Sequence, residues 1–161
     1  METPFKLLVE VGCWKRKMSG RGFRYHEHTA DITIECWAPT LESAFEEAAL
    51  ATFEVIVGTS TVRPKNPIDI SVQGIDLEEL LVEWIGRLLA LVDINVEFYS
   101  KFEIQEISES PEGFSLKGRV WGEEIDLDRH ETRTEVKAMT YADMKIECTS
   151  EDTNLCFTLD L

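Results

Sequence analysis

Two kinds of hydrophobic spacing alternate in the first hundred residues of this chain, and only one of them continues afterwards. Apolar residues recur every three or four positions over 40–56 and 76–93, which predicts two amphipathic helices. Before each helix, and repeatedly after Phe98, apolar and polar residues alternate with the period of two that is typical of half-buried strands. The order predicts strand, helix, strand, helix and then a run of consecutive strands.

The predicted helices begin at residues that can cap a first turn. Thr40 precedes the first helix, and Asp76 precedes the second with Glu79 three residues later, as in a capping box. Six segments are predicted as strands: 31–37, 68–72, 98–107, 113–121, 136–148 and 154–161. Two helices with about six mostly consecutive strands favour the α+β class. We predict a two-layer sandwich with both helices on one face of a mostly antiparallel sheet.

The length of 161 residues, with 43% apolar residues, suits one domain. Residues 1–22 differ from the rest, because they are basic and end in the flexible sequence Ser19-Gly20-Arg21-Gly22. We predict a flexible basic appendage over 1–22 and a single domain over 23–161. An extra edge strand at 6–12 remains the alternative for the appendage.

The charge of the chain is strongly negative and unevenly distributed. The 16 Lys and Arg residues face 31 Asp and Glu residues, which gives −15. Residues 1–22 carry five basic and two acidic residues, or +3, so residues 23–161 carry −18. Such a surface repels phosphate backbones and anionic lipids, and it favours basic proteins or divalent cations. We therefore expect no tight direct binding of nucleic acid and no membrane association.

The cysteines and the first residues bear on the cellular compartment. Four cysteines occur without CxxC spacing and below the density of a disulfide scaffold, at positions Cys13, Cys36, Cys148 and Cys156. The apolar run at 5–14 is followed by Lys15-Arg16-Lys17 where a signal peptide would have small residues. We predict a cytoplasmic protein.

The densest polar cluster lies just before the first predicted strand. His26 and His28 would share one face of an extended segment, and with Asp31 they could form a metal site. Such a site would make the chain a stand-alone metal-dependent hydrolase. In the alternative, one histidine makes a local hydrogen bond and the other is solvated.

The carboxyl terminus is a second candidate metal site. Asp160 and the α-carboxylate of Leu161 place two oxygen groups one residue apart, and hard cations prefer oxygen ligands. Alternating apolar residues continue to the end of the chain, so the terminus should be held as a strand.

Other polar segments give weaker signals. The acidic segment 123–131 lacks the glycine and ligand spacing of an EF-hand loop, so we predict a mostly solvated loop. Lys137 lies among apolar neighbours and should seek an anionic partner. The chain has no P-loop, GxGxxG or GxSxG motif.

Four short motifs, taken in order, resemble the archease family over about residues 23–161. They are His28-Thr-Ala-Asp31, Glu83-Trp84 in the second helix, Thr134-Glu-Val-Lys-Ala-Met-Thr-Tyr141, and Asp160-Leu161. The resemblance implies an accessory protein, without enzymatic activity of its own, for the RtcB-type RNA ligase of tRNA splicing. Such a protein promotes guanylylation and multiple turnover of the ligase. GTP and manganese belong to the ligase.

The resemblance also implies roles for particular residues. Asp31, Asp160 and Leu161 would hold calcium or another divalent cation, and His28 and Lys137 would belong to the functional surface. This sequence has Ala142 where many relatives carry a histidine, so a role that depends on that imidazole is absent. A purely structural acidic partner module is a third class of function.

Overall fold

The computed structural model describes residues 20–27 and 30–161, which form two helices and seven strands. The helices are α1 (Leu41–Ile56) and α2 (Leu77–Asn95), and a 3-10 turn lies at Thr59–Thr61. The strands are β1 (Gly22–Glu27), β2 (Asp31–Ala38), β3 (Asn66–Gly74), β4 (Glu97–Ser110), β5 (Gly113–Glu124), β6 (Ala138–Cys148) and β7 (Thr153–Asp160). The alternative strand predicted at 6–12 lies outside the described residues.

The α+β class and the antiparallel pairing are confirmed, but the described strands form two sheets where one was expected. The first sheet has the order β1-β2-β7-β6 and the second has the order β3-β5-β4. Every pair of neighbouring strands is antiparallel. Strand β1 was not predicted, and β7 inserts between β2 and β6. The last strand in sequence is therefore internal in its sheet.

Both helices contact strands of both sheets. Helix α1 begins at Thr40, whose side chain accepts a hydrogen bond from the Ser43 backbone as predicted for a cap. Its alanines have no exposed surface at positions Ala44, Ala48, Ala49 and Ala51. Small side chains on several faces let α1 approach strands on more than one side. This accounts for apolar residues that extend beyond a single stripe of the helix.

Helix α2 keeps one face in solvent and buries the other. Asp76 accepts a hydrogen bond from the Glu79 backbone, so the predicted cap is confirmed. The buried face consists of Leu80, Leu81, Trp84, Ile85 and Leu88. The Trp84 indole nitrogen donates to the Phe45 carbonyl oxygen at 3.0 Å and ties α2 to α1. Buried residues of both helices and both sheets belong to one continuous core.

The division of the chain at residue 22 stays a prediction. Within the described ranges, β1 begins at Gly22, and Arg21 forms ion pairs of 3.1 Å with Glu46 and 2.6 Å with Glu47. The last residues assigned to the appendage therefore contact α1. No helix among the described residues is long and apolar enough to cross a membrane.

Candidate functional site

Two of the predicted metal ligands meet where β2 and β7 pair. Asp31 is the first residue of β2, Asp160 is the last residue of β7, and the antiparallel register places them opposite each other. Opposite residues in such a pair point to the same face, with Cβ atoms about 4.5–5.5 Å apart. The metal site predicted for these residues requires the first predicted strand to neighbour the final one, and the two strands do pair. Two carboxylates thereby lie close together at the end of the sheet where β2 begins and β7 ends.

The backbone beyond β7 is held from both sides. The Leu161 amide donates to the Ala30 carbonyl oxygen at 3.2 Å, and the Lys137 amide donates to the Asp160 carbonyl oxygen at 2.8 Å. The residues next to β2 and β6 thus fix the path of the chain at 160–161. The Leu161 carboxylate is attached to a backbone already bonded beside Asp31.

The oxygens of this group fit a hard cation. Asp31 Oδ1 is buried and has no hydrogen-bond partner among residues 20–27 and 30–161, although most buried polar atoms in proteins have one. Asp160 is exposed, so the pair is accessible from solvent. Among the described residues, no three His, Cys, Asp or Glu side chains lie close enough together to hold a metal. The predicted set instead has two side-chain carboxylates and one main-chain carboxylate, all oxygen donors suited to calcium.

The backbone of Lys137 is hydrogen-bonded to Asp160, which places this residue next to the paired carboxylates. Its side chain is exposed. Across residues 20–27 and 30–161, its ammonium group has no ion-pair partner, so the expected anionic contact is not formed within these residues. A cation next to the paired carboxylates is thus presented to solvent. His28, predicted for the same surface, lies outside the described residues.

His26 belongs to a different contact. It lies opposite Thr33 in the β1–β2 register, two positions along β2 from Asp31. Its Nε2 atom is 4.0 Å from Oε1 of the buried Glu35. The described geometry therefore places His26 against Glu35, a partner that the sequence motif did not suggest.

The motif that ends at Tyr141 runs along β6 from the end of the sheet that carries Asp31 and Asp160, and it approaches α2. The pairing of β6 with β7 is irregular between Thr140 and Lys145, and Asp143 there has a positive φ of 57°. The Tyr141 side chain is 56% exposed. Partial burial raises the pKa of its phenol, and nearby carboxylates raise it further. These carboxylates are Glu79, Glu83 and Glu78 in the first turns of α2 and Asp76, the residue that caps it.

The prediction of a mostly solvated loop at 123–131 is wrong for Glu123 and His130, which are 4% exposed each. Glu123 Oε2 accepts hydrogen bonds from the Arg63 amide at 2.9 Å and from His130 Nε2 at 2.8 Å. It also pairs with Arg129 at 2.8 Å. Burial alone would raise the pKa of the Glu123 carboxyl, but these contacts lower it to about 2.

The hydrogen bond made by Nδ1 of His130 determines which ring nitrogen donates to Glu123. Nδ1 accepts the Asp126 amide hydrogen at 3.0 Å, so Nε2 carries the proton that goes to Glu123. The cluster fixes the loop that follows β5. Sequence reasoning missed it because the partners Arg63 and Glu123 are far apart in sequence, and nothing in the local acidic pattern marks one glutamate as buried.

Comparison with known proteins places the whole domain in one family. The model of the Archease protein family matches residues 23–161. Protein archease of Sulfurisphaera tokodaii is 45% identical over 139 residues, which cover 86% of this chain and 98% of that protein. Protein archease of Pyrococcus furiosus is 45% identical over 127 residues, which cover 79% and 89% of the two chains.

Solved structures agree with this assignment. The solution structure of a Methanobacterium thermoautotrophicum protein superposes with a TM-score of 0.73 at 35% identity, and covers 87% of this chain and 99% of that one. A Thermotoga maritima archease, described as a possible chaperone, superposes with a TM-score of 0.53 at 17% identity over 91% and 99% of the two chains. At that identity the second likeness supports the fold alone. The predicted family is confirmed: the chain belongs to the archease family.

Proposed function

We propose that this protein activates an RtcB-type RNA ligase in tRNA splicing and uses a divalent cation held by Asp31, Asp160 and the Leu161 carboxylate. The protein would promote guanylylation of the ligase and its multiple turnover, and the ligase would carry out the joining reaction. The observation that carries the proposal is the pairing of Asp31 with Asp160 beside a fixed chain end.

Electrostatics support a cation at this place. Carboxylates held close together repel one another, and a partly buried site strengthens that repulsion. A bound divalent cation would remove the conflict and would give the buried Asp31 oxygen a partner. Calcium and magnesium both match an all-oxygen donor set, and calcium is favoured if backbone carbonyls complete six or more ligands. When bound, it would supply a positive charge between carboxylates and a fixed geometry for the chain end.

Charge also supports a protein partner. Residues 23–161 carry a net charge of −18, which opposes contact with RNA phosphates and favours contact with a basic protein surface. Lys137 would lie at the same contact surface as the carboxylates, where its exposed ammonium group can reach a partner. His28 is proposed for this surface from the family motif alone.

Guanylylation of the ligase, measured with and without this protein, tests the proposal. We expect guanylylated ligase to accumulate faster when the protein is present, and ligation to continue beyond one turnover. A protein that binds the ligase without changing either rate would be a structural module. A protein that cleaves phosphoesters alone would be a stand-alone hydrolase. Either of these results would reject the proposed activation.

A further inference from the structure

A small cavity lies beneath the segment that leads to Lys137. It has a volume of about 210 Å³ and an apolar floor. The floor is formed by Ile56, Leu89, Val92 and Phe98, and Val136 of the covering segment adds a further apolar side chain to the lining. Cofactor and drug-sized ligand sites usually occupy about 300–1,000 Å³. This cavity is therefore of a size for one side chain of a partner.

The roof of the cavity is firmly positioned. Thr132 forms a β-bridge with Val57, the Arg133 amide donates to the Ile56 carbonyl at 2.8 Å, and the Thr134 amide donates to the Val55 carbonyl at 3.1 Å. The end of α1 thus fixes the segment in place. Three residues further on, the Lys137 amide is bonded to Asp160. One segment therefore joins the cavity to the paired carboxylates.

The rim of the cavity is acidic. Asp93 and Glu135 line it, and both are exposed without an ion-pair partner in the part of the chain that the structure describes. Arg133 also lines the cavity, but its guanidinium is 3.1 Å from Glu131 and 3.6 Å from Glu54. The lining itself carries two negative side chains and one positive one, and the positive charge of Arg133 is already paired with Glu131 and Glu54 outside the cavity.

We infer that this cavity is a binding site for one arginine side chain of a protein partner. The aliphatic stem would cover the apolar floor while the guanidinium stays at the rim. Its planar group has five donors and can serve more than one carboxylate, here Asp93 and Glu135. A purely apolar side chain would remove water from those carboxylates and give them no partner. Identifying the partner with the ligase rests on the proposed function.

A small-molecule titration of the full chain tests the site without any ligase. The probe is N-acetyl-arginine methylamide, and the comparison is N-acetyl-leucine methylamide. We expect the arginine probe to shift the methyl resonances of Leu89 and Val92 and the ring resonances of Phe98. The leucine probe should bind at least about fivefold more weakly, because it lacks the ionic contacts at the rim.

Charge variants complete the test. The double variant D93N/E135Q should weaken the arginine probe by about fivefold, as expected for the loss of two exposed ion pairs. The control E109Q/E112Q removes two exposed carboxylates, one near the far end of β4 and one in the turn that follows it, and should leave binding unchanged. Equal binding of both probes, shifts located elsewhere, no shifts at all, or an unaffected double variant would each overturn the inference. These results do not depend on ligase activation, so either proposal can fail alone.

Discussion

Asp31 at the start of β2 lies directly opposite Asp160 at the end of β7. The two residues are nearly a chain length apart in sequence, and the antiparallel register alone brings them together. The same register bonds the Leu161 amide to the Ala30 carbonyl. A shift of β7 against β2 would therefore move the side-chain carboxylates and the main-chain carboxylate together.

Replacement of Asp31 by alanine should abolish ligase activation and leave the protein folded. The change removes a partly exposed carboxylate and cuts no part of the core. Calcium should raise the melting temperature of the parent protein, since a ligand that binds only the folded state stabilises it. The D31A variant should show no such rise. The exposed Asp69 on β3 provides the matched control, and a D69A variant that also lost activation would point away from a local site.

Extension of the chain by one glycine after Leu161 should impair both calcium binding and ligase activation. The added residue moves the terminal carboxylate by about 3 Å or more, while the Leu161 amide can keep its bond to Ala30. Calorimetric titration with calcium and the guanylylation assay measure the two effects. A glycine added before Met1 is the control. Normal calcium binding by the C-terminally extended protein would rule out the terminal carboxylate as a ligand.

Stability should fall in acid because of Glu123. Its pKa is about 2 in the folded protein, below the value of about 4.3 for an unfolded chain. The folded state therefore gains stability from ionised Glu123 above pH 4.3 or so, and loses it as pH falls towards 2.

The variant E123Q tests this contribution. It should lower the free energy of unfolding at pH 7 by about 1–3 kcal/mol, because buried charge-assisted hydrogen bonds are lost. At pH 2 to 3 the difference from the parent should shrink. Urea denaturation at both pH values measures it, and E124Q, at the exposed neighbouring position, should have little effect at either pH. A constant difference across this range would show that ionisation of Glu123 does not contribute.

The protein alone should bind tRNA very weakly at physiological salt, because the domain carries −18 and only residues 1–22 carry a net positive charge. Binding to the ligase should weaken as salt rises, since the Debye length is only about 8 Å at 0.15 M. Filter binding and salt-dependent calorimetry measure the two affinities. Sub-micromolar tRNA binding by a variant lacking residues 1–22 would contradict the charge argument.

The sequence predicted the helices well because their signals are local. The predicted helices at 40–56 and 76–93 correspond to Leu41–Ile56 and Leu77–Asn95, and both predicted caps form. Periodicity gives no information on which strands pair, so the division into two sheets was not predicted. Strand β1 was missed because its polar positions resembled a ligand motif. Its Tyr25 hydroxyl in fact donates to the Ala51 carbonyl of α1.

The candidate site was predictable to the extent that it depends on sequence motifs. The residues alone marked Asp31, in the polar cluster before the first predicted strand, and Asp160, in the strand predicted towards the C-terminus. Their assignment to one shared site came from the family resemblance. The contacts of Glu123 with Arg63 and His130 arise only when distant segments fold together. The cavity beside Asp93 and Glu135 has the same origin.

The internal place of β7 has a consequence for synthesis on the ribosome. Strands β1, β2 and β6 are synthesised before it, yet β2 and β6 have no shared partner until β7 is available. The edge of β2 that pairs with β7 therefore stays unpaired until the last strand is available, and such edges promote aggregation. Chains that stop early would lack both the middle of the sheet and Asp160. The first sheet can therefore be completed only after β7 has been synthesised, and products that stop before β7 should be targets for chaperones and proteases.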